Sequence, residues 1–262
     1  MTPTRVLPLA GGCNFRDCGG YETLQGARVR WGRLYRSGVL QGLTADAAAA
    51  VEALGVRAVC DLRRNAERAR YPNPSFAAHV RRFEWDTGLE ASPLHDDDLT
   101  GEQGAARARA RMLRMYTRMP YELQPRFAGV FEAVAHAGDG ATIVHCMAGK
   151  DRTGVAIGLV LAALDVPRDV ILADYVLTNE AVDLRAQVMQ RRAAGGGLAA
   201  SAEPLLALPQ DALAAVLEAR PEYLQASFEA IESRYGSVHA YLSHELRIPA
   251  DRLARLREAL LE

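Results

Sequence analysis

Cys146 and Arg152 are the residues of this sequence whose types and spacing are best suited to chemistry. A cysteine thiolate is a strong nucleophile, and the planar fork of an arginine binds two phosphate oxygens at once. Backbone N–H groups of residues 147–152 can curl into an anion-binding nest, to which a helix N-terminus would add positive charge. We therefore expect Cys146 to attack a phosphate ester. The expected substrate-binding residues are Met147, Ala148, Gly149, Lys150 and Thr153.

The segments on either side of this loop predict how it is positioned. Residues 141–146 have the pattern of a buried strand, and Thr153–Leu164 predicts a helix that is apolar nearly all round. The positive field at such a helix N-terminus favours the thiolate form of Cys146. A nucleotide-binding P-loop is excluded, because the Gly149-Lys150 pair is followed by Asp151 rather than by serine or threonine.

The rest of the chain supplies further strand–loop–helix units. We expect a helix over 45–54, strands over 56–62 and 79–83, and an exposed acidic loop over 88–104. The expected fold is α/β, with a central, mostly parallel sheet flanked by helices and a helical C-terminal third. Two helices, separated at Pro120, are expected between 105 and 137. We interpret residues 1–262 as a single domain, with a helical lid at about 105–137 and a helical C-terminal part at about 167–262.

Composition limits the classes of function. The formal net charge of −1 over 262 residues creates no overall positive field that would attract nucleic acid. The longest apolar run is too short to cross a bilayer. The four cysteines lack the spacing of a zinc site, so no metal site is expected. No cofactor is expected either. Reduced thiols and the lack of a classical signal sequence favour a cytoplasmic protein. Export by another route and the oligomeric state stay open.

Five segments of the chain have a recognisable pattern, namely HCMAGKDRTG (145–154), NFRDCGGY (14–21), LYRSG (34–38), CDLRRNAE (60–67) and RPEYLQASFEAIESRYGSVHAYL (220–242). Together they resemble the atypical bacterial tyrosine and lipid phosphatases, and the resemblance covers most of the chain in the same order. It implies a metal-free cysteine-dependent phosphatase fold, a cysteinyl-phosphate intermediate and phosphotyrosine-protein substrates. It also implies activity on phosphoserine or phosphothreonine and on phosphoinositides, the latter favoured by the position of Lys150.

Three aspartates compete as the acid that protonates the leaving group. Asp151 lies inside the loop, and the matching aspartate of the resembling family is its favoured proton donor. Asp61 ends the strand at 56–62 and should face the same crevice, although it could equally orient Lys150 or Arg63. Asp86 lies where related phosphatases carry a mobile acid loop. We rank Asp151 first, Asp61 second and Asp86 third.

Most of the other candidate residues allow two interpretations. Cys60 is either a core cysteine or, by its resemblance to a position in lipid phosphatases, the partner of a protective disulfide with Cys146. His145 is interpreted as a hydrogen-bonded core histidine. The arginine stripe between 107 and 118 is either a solvated helix face or part of the lid. Arg16, Arg36 and Arg63 form either a second anion site or buried salt bridges to Asp17, Asp61 or Glu67.

Two other functions fit a cysteine in an anion-binding loop. A rhodanese-like sulfurtransferase also uses a cysteine at a strand end, but it gives no reason for the Arg-Thr-Gly sequence at 152–154. A non-catalytic phospho-ligand binder usually lacks the cysteine or the arginine, and both are present here. The sequence therefore favours a phosphomonoester hydrolase of the tyrosine phosphatase type.

Overall fold

The computed structural model describes residues 4–86, 99–193 and 205–262, and in these residues five strands form one sheet in the order β1-β2-β5-β3-β4. The strands β2, β5, β3 and β4 are parallel to their neighbours, whereas β1 is antiparallel to β2. The predicted α/β fold with a mostly parallel sheet is therefore confirmed. The strands are β1 (Arg16–Asp17), β2 (Leu34–Ser37), β3 (Val56–Asp61), β4 (Arg81–Glu84) and β5 (Ala141–His145).

The centre of the sheet consists of the two strands with the most continuous burial. Every residue of β5 is buried, and β3 is buried except at Arg57. The register places Cys60 beside Val144 and Asp61 beside His145. Because parallel strands end at the same edge, the segments that follow β2, β3 and β5 meet there, which is where open α/β sheets bind ligands.

Helices cover both faces of the sheet and make up the C-terminal part. The predicted helix at 45–54 is present as α1, and the Thr44 hydroxyl caps it by accepting the Ala47 N–H. The helices described are α1 (Ala45–Glu52), α2 (Asn65–Arg70), α3 (Gly104–Glu122), α4 (Gln124–Ala137), α5 (Asp151–Ala163), α6 (Arg168–Val176), α7 (Thr178–Ala181), α8 (Leu184–Ala193), α9 (Gln210–Leu217), α10 (Pro221–Tyr235), α11 (Val238–His244) and α12 (Ala250–Leu260).

The prediction that a helix ends at Pro120 is wrong, because α3 continues through Pro120 to Glu122. Proline has no N–H for the carbonyl four residues earlier, which belongs to Tyr116. The Ser227 hydroxyl of α10 donates to that carbonyl at 2.8 Å instead. The carbonyl of Pro120 in turn accepts the Tyr241 hydroxyl at 2.5 Å. Side chains from the C-terminal helices thus satisfy the Tyr116 carbonyl, which the proline leaves without an N–H partner, and the Pro120 carbonyl, which lies close to the helix end.

The segment proposed as a lid contributes to the core. Ala108, Met112, Tyr116 and Met119 of α3 are buried, and α3 packs mainly against α9 and α10. The lid itself and the single-domain organisation stay predictions. The glycine linker at 195–197 and most of the acidic loop at 88–104 lie outside the described residues. Among the helices of 4–86, 99–193 and 205–262, none has the length and apolar character to span a membrane.

Candidate active site

The loop that follows β5 has the architecture expected of an anion site. Cys146 comes directly after the last strand residue and is 2% exposed. Helix α5 starts at Asp151, two residues earlier than predicted, so Arg152 lies in its first turn. Gly149 has a φ of 66°, and a Cβ there would lie 2.6 Å from the backbone carbonyl of Ser37. Only glycine fits this conformation and this close approach.

Three successive carbonyls of the loop, those of residues 147–149, accept hydrogen bonds from segments around β1 and β2. The Val39 N–H donates to the first at 3.1 Å. The Asn14 amide donates to the second and third at 3.1 and 3.0 Å, and the Arg36 guanidinium donates to the third at 2.9 Å. In a trans peptide the C=O and N–H groups point in opposite directions. The N–H groups of residues 148–150 therefore point away from these donors, toward the opposite side of the loop.

Buried charges hold these donors in place. Asp174 of α6 accepts from Arg36 at 2.6 Å, and its second oxygen lies 3.5 Å from Arg16 Nε. Arg16 also donates to the Asn14 side chain. Burial opposes ionisation of Asp174, but the two arginines outweigh it and hold its pKa below the ordinary value. Burial and the neighbouring Arg36 lower the pKa of Arg16 to about 10.

Arg152 is fixed by a carboxylate that the sequence interpretation assigned elsewhere. Its guanidinium donates to both oxygens of Glu67 on α2, at 2.6 and 2.9 Å. Burial of Glu67 favours its neutral form, yet the charge and hydrogen bonds of Arg152 outweigh burial and hold the pKa of Glu67 far below normal. Arg63 pairs with Asp61, which was one of the suggested partners, and not with Glu67. Such a bidentate pair fixes the plane of the guanidinium.

Lys150 is buried and turned toward the C-terminus of α9. Its ammonium donates to the carbonyl of Val216 at 2.5 Å and to that of Leu217 at 3.3 Å. The last carbonyls of a helix lack partners within the helix and carry partial negative charge, so a lysine there is stabilising. The ammonium also lies 3.3 Å from Asp151 Oδ1. In this structure Lys150 therefore binds the protein itself.

The three candidate acids have different surroundings. The Asp151 side chain is 28% exposed and accepts the Tyr116 hydroxyl at 2.7 Å. Asp61 is buried and accepts two bonds from the Arg63 fork, at 2.8 and 2.6 Å. Burial acts to raise the pKa of Asp61, but His145 and Arg63 outweigh it and lower that pKa. Asp86 is 82% exposed and pairs with Arg68. These surroundings favour Asp151, whose carboxyl is both part of the loop and open to solvent.

Cys60 and His145 lie beneath the site on the two central strands. Cys60 is fully buried on β3, and burial raises the pKa of its thiol well above the ordinary value. Its reaction with Cys146 under oxidation stays a prediction. Burial lowers the pKa of His145 to about 4, so its ring is neutral at neutral pH. The nearest charged oxygen, Asp61 Oδ2, lies 3.6 Å from His145 Nε2, beyond hydrogen-bond distance. The core position of His145 is confirmed, but the expected side-chain hydrogen bond is not found, because both ring nitrogens are buried without a hydrogen-bond partner among the described residues.

Sequence interpretation missed most of the residues that hold the site. Asn14 carries a weak signal, because its φ of 55° is one that asparagine tolerates better than most residues. The others come from helices far away in the chain, and no local pattern marks them. Within the described ranges, no three His, Cys, Asp or Glu side chains come together as a metal site. The missed residues are Asn14, Glu67, Tyr116, Asp174 and Tyr175.

Comparison with known proteins assigns the family. Residues 7–262 match the model of a tyrosine phosphatase family. The chain belongs to this family. A Cupriavidus necator protein named as an inferred tyrosine-protein phosphatase is 37% identical over 92% of the chain and 84% of its own length. The triple specificity protein phosphatase PtpB of Mycobacterium tuberculosis is 31% identical over 98% of the chain and 99% of its own length. A tyrosine-protein phosphatase of Nostoc commune is 32% identical over 74% of the chain and 62% of its own length.

The family assignment confirms the prediction of a phosphatase. A member of the tyrosine phosphatase family is a phosphoric monoester hydrolase, so the enzyme interpretation is favoured over the sulfurtransferase and the binding module. The match includes the loop from Cys146 to Arg152, which lies within the matched residues. The roles of individual residues rest on the geometry of the site.

Proposed function

We propose that the protein hydrolyses phosphomonoesters through a cysteinyl-phosphate on Cys146, with Arg152 holding the phosphate and Asp151 as proton donor. The observation that carries the proposal is the arrangement of the loop carbonyls. All three carbonyls of residues 147–149 are bound from the β1–β2 side, so the N–H groups on the other side are oriented for an anion. The guanidinium of Arg152, fixed by Glu67, completes this pocket.

The reaction follows from these groups. The Cys146 thiolate attacks phosphorus, a sulfur–phosphorus bond forms, and the bond from phosphorus to the ester oxygen breaks. Asp151 donates its proton to the departing oxygen, which leaves as an alcohol or phenol. Asp151, now ionised, takes a proton from water as the water attacks phosphorus. The sulfur–phosphorus bond breaks, and inorganic phosphate and the thiolate are released.

The proposed substrates are phosphotyrosine proteins, with phosphoserine or phosphothreonine proteins and phosphoinositides as further substrates. The name of the mycobacterial relative, a triple specificity protein phosphatase, supports a broad specificity. The contact between Lys150 and the α9 carbonyls argues that lipid recognition by this lysine requires the ammonium to leave those carbonyls. We propose a cytoplasmic location, supported by the four free cysteines at positions 13, 18, 60 and 146.

The test is a substrate panel with three proteins. Phosphotyrosine peptides, phosphothreonine peptides and soluble phosphoinositides are compared by kcat/KM for the wild type, Cys146→Ser and the control Cys60→Ala. We expect Cys146→Ser to abolish turnover of every substrate, because a serine hydroxyl is not ionised at neutral pH. Cys60→Ala removes an equally buried thiol and should leave turnover within a few-fold. Turnover by Cys146→Ser at the wild-type rate would disprove the proposal.

A further inference from the structure

Two tyrosine hydroxyls form a chain that ends at the loop. The Tyr116 hydroxyl lies 2.7 Å from Asp151 Oδ1, and the Tyr175 hydroxyl lies 2.6 Å from that of Tyr116. Both rings are fully buried. Tyr116 comes from α3 and Tyr175 from α6, so two helices distant in the chain converge on one carboxylate.

Which hydroxyl donates and which accepts in this chain of hydrogen bonds follows from the carboxylate at its end. Burial and the neighbouring Asp151 raise the pKa of both tyrosines well above the ordinary value, so both hydroxyls keep their protons. An ionised carboxylate can only accept. Tyr116 therefore donates to Asp151, and Tyr175 donates to Tyr116. Each of the two hydroxyls has one proton, and both protons are used in the chain.

A second group near Asp151 Oδ1 is the cationic ammonium of Lys150, at 3.3 Å. One hydroxyl donor and one positive charge thus act on the same oxygen. A proton placed on Oδ1 would oppose both of them, so the proton that Asp151 transfers resides on Oδ2. The carboxyl is 28% exposed, whereas Tyr116 is fully buried. The hydroxyl chain thus approaches from the protein interior and holds one oxygen there.

Both the backbone carbonyl and the ring of Tyr116 are held by neighbouring residues. Its backbone carbonyl accepts from Ser227, in the place of the N–H that Pro120 lacks. Its ring packs edge-on against Tyr175, with centroids 6.1 Å apart, and in a tilted arrangement on Tyr223 at 5.7 Å. A hydroxyl on so fixed a ring has little freedom to leave Asp151.

We propose that Tyr116 is a positioning residue for proton transfer, which holds Oδ1 of Asp151 as an acceptor and so makes Oδ2 the oxygen that protonates the leaving group. This inference rests on the proposed role of Asp151 as the acid. Tyr175 orients Tyr116 and acts one step further away. Lys150 assists at the same oxygen.

The test is the dependence of rate on the leaving group. Tyr116→Phe keeps the ring and removes the hydroxyl, and Tyr223→Phe is the matched control. Tyr223 is a buried tyrosine of the same cluster, and its hydroxyl donates to the carbonyl of Ala215 at 2.7 Å instead of to the loop. Tyr116→Phe removes the hydrogen bonds to Asp151 and from Tyr175, whereas Tyr223→Phe removes the one to Ala215. The substrates are p-nitrophenyl phosphate, whose leaving group departs with little protonation, and phenyl phosphate, whose leaving group needs the acid.

We expect Tyr116→Phe to lower kcat/KM for phenyl phosphate by about tenfold, a fraction of what general acid catalysis contributes. The same variant should change p-nitrophenyl phosphate turnover by only about twofold, since that step depends less on the acid. Tyr223→Phe should change both substrates by the same factor. An unchanged ratio between the two substrates in Tyr116→Phe, or an equal change of that ratio in Tyr223→Phe, would overturn the inference.

Asp151→Asn separates this inference from the proposed function. If Asp151→Asn selectively slows phenyl phosphate but Tyr116→Phe does not, Asp151 is the acid and only the positioning role is wrong. If Asp151→Asn has no selective effect, the proposed acid itself is wrong, and the inference is wrong with it. In the double variant, Tyr116→Phe should add no selectivity to Asp151→Asn, because the two residues act as one unit. Added selectivity there would contradict the inference.

Discussion

The loop that carries Cys146 is held from two sides, and the two sides hold different parts of it. The strand side, formed by residues around β1 and β2, binds the backbone carbonyls of residues 147–149. The helix side, formed by α3 and α9, binds the side chains of Asp151 and Lys150. The strand side orients the N–H groups that would bind phosphate. The helix side orients the groups that would move a proton.

The means of support differ as well. Two buried arginines and one aspartate support the strand side, whereas tyrosine hydroxyls and helix carbonyls support the helix side. A buried charge network has few alternative arrangements, because a charge left without its partner in the interior is costly. Hydroxyls and carbonyls cost less to separate. We therefore expect damage on the strand side to affect stability and phosphate binding most, and damage on the helix side to be milder.

The largest expected effect is from Asp174→Asn, because Asp174 of α6 pairs with the two buried arginines of the strand side. The substitution leaves Arg16 and Arg36 buried without a carboxylate, which should lower the free energy of unfolding by about 3–5 kcal/mol. Urea unfolding measures this change. Asp251→Asn is the control, because Asp251 pairs with Arg255 on an exposed helix face and should cost less than about 1 kcal/mol. Equal losses of stability in the two variants would show that the buried network contributes no more than an exposed ion pair.

Gly149→Ala should have the next largest effect. A methyl group there would meet the backbone of Ser37 at 2.6 Å, and the φ of 66° is unfavourable for alanine. We expect kcat/KM to fall by about a hundredfold, the scale of loss when reacting groups shift by about 1 Å. Gly26→Ala is the control, since it changes another positive-φ glycine that has open space around it. Similar losses of activity in both variants would show that strain alone, and not contact with the strand side, is responsible.

Lys150→Met tests the helix side. The variant removes the donor to the α9 carbonyls, which should lower the free energy of unfolding by about 1–2 kcal/mol. Urea unfolding and competitive inhibition by inorganic phosphate are measured together. A tenfold or greater loss of phosphate affinity with unchanged stability would mean that the ammonium binds the substrate rather than α9.

The smallest expected effect is on stability in acid. Glu67, Asp61 and Asp174 have pKa values held below their ordinary range by arginines or by nearby positive charge, despite burial. A depressed pKa contributes stability that is fully present above the unfolded value, near pH 4, and is lost as the pH falls toward the folded value. Each such group adds up to about 1.4 kcal/mol per pH unit to the slope.

Glu67→Gln should make the stability profile shallower below pH 4, because one of these groups is removed. The free energy of unfolding, measured by urea unfolding at several pH values, provides the slope. A slope that is as steep in the variant as in the wild type would show that folding does not lower the pKa of Glu67, and the Arg152 pair would then be weaker than its geometry indicates.

The sequence predicted features in which neighbours in the chain are neighbours in space. The strand β5, the loop and α5 are contiguous, so Cys146 and Arg152 were assigned from spacing and residue type alone. The same holds for α1, whose cap and end are local signals. Pro120 shows the limit of local rules, because α3 continues through it and Ser227 of α10 supplies the hydrogen bond that the proline cannot donate. A local rule contains no information about partners a hundred residues away.

For the same reason, the residues that hold the site in place could not be predicted from the sequence. Asp174 lies in the short helix α6 and resembles any exposed helical aspartate until tertiary contacts place two arginines around it. Tyr116 lies among methionines on an apolar helix face, where a core position is the ordinary interpretation. Its hydroxyl gains a role only because α5 brings Asp151 within reach. Residue type suggested the chemistry, and long-range packing decided which side chains support it.

The most direct test of the account is a search for phosphate on Cys146 during turnover. Wild type and Asp151→Asn are mixed with p-nitrophenyl phosphate, quenched in acid within milliseconds to seconds and mapped by mass spectrometry. We predict a phosphorylated peptide containing Cys146 in both, with more of it in Asp151→Asn, because the base that activates water is then missing. Turnover with no phosphate on Cys146 in either protein would contradict the account.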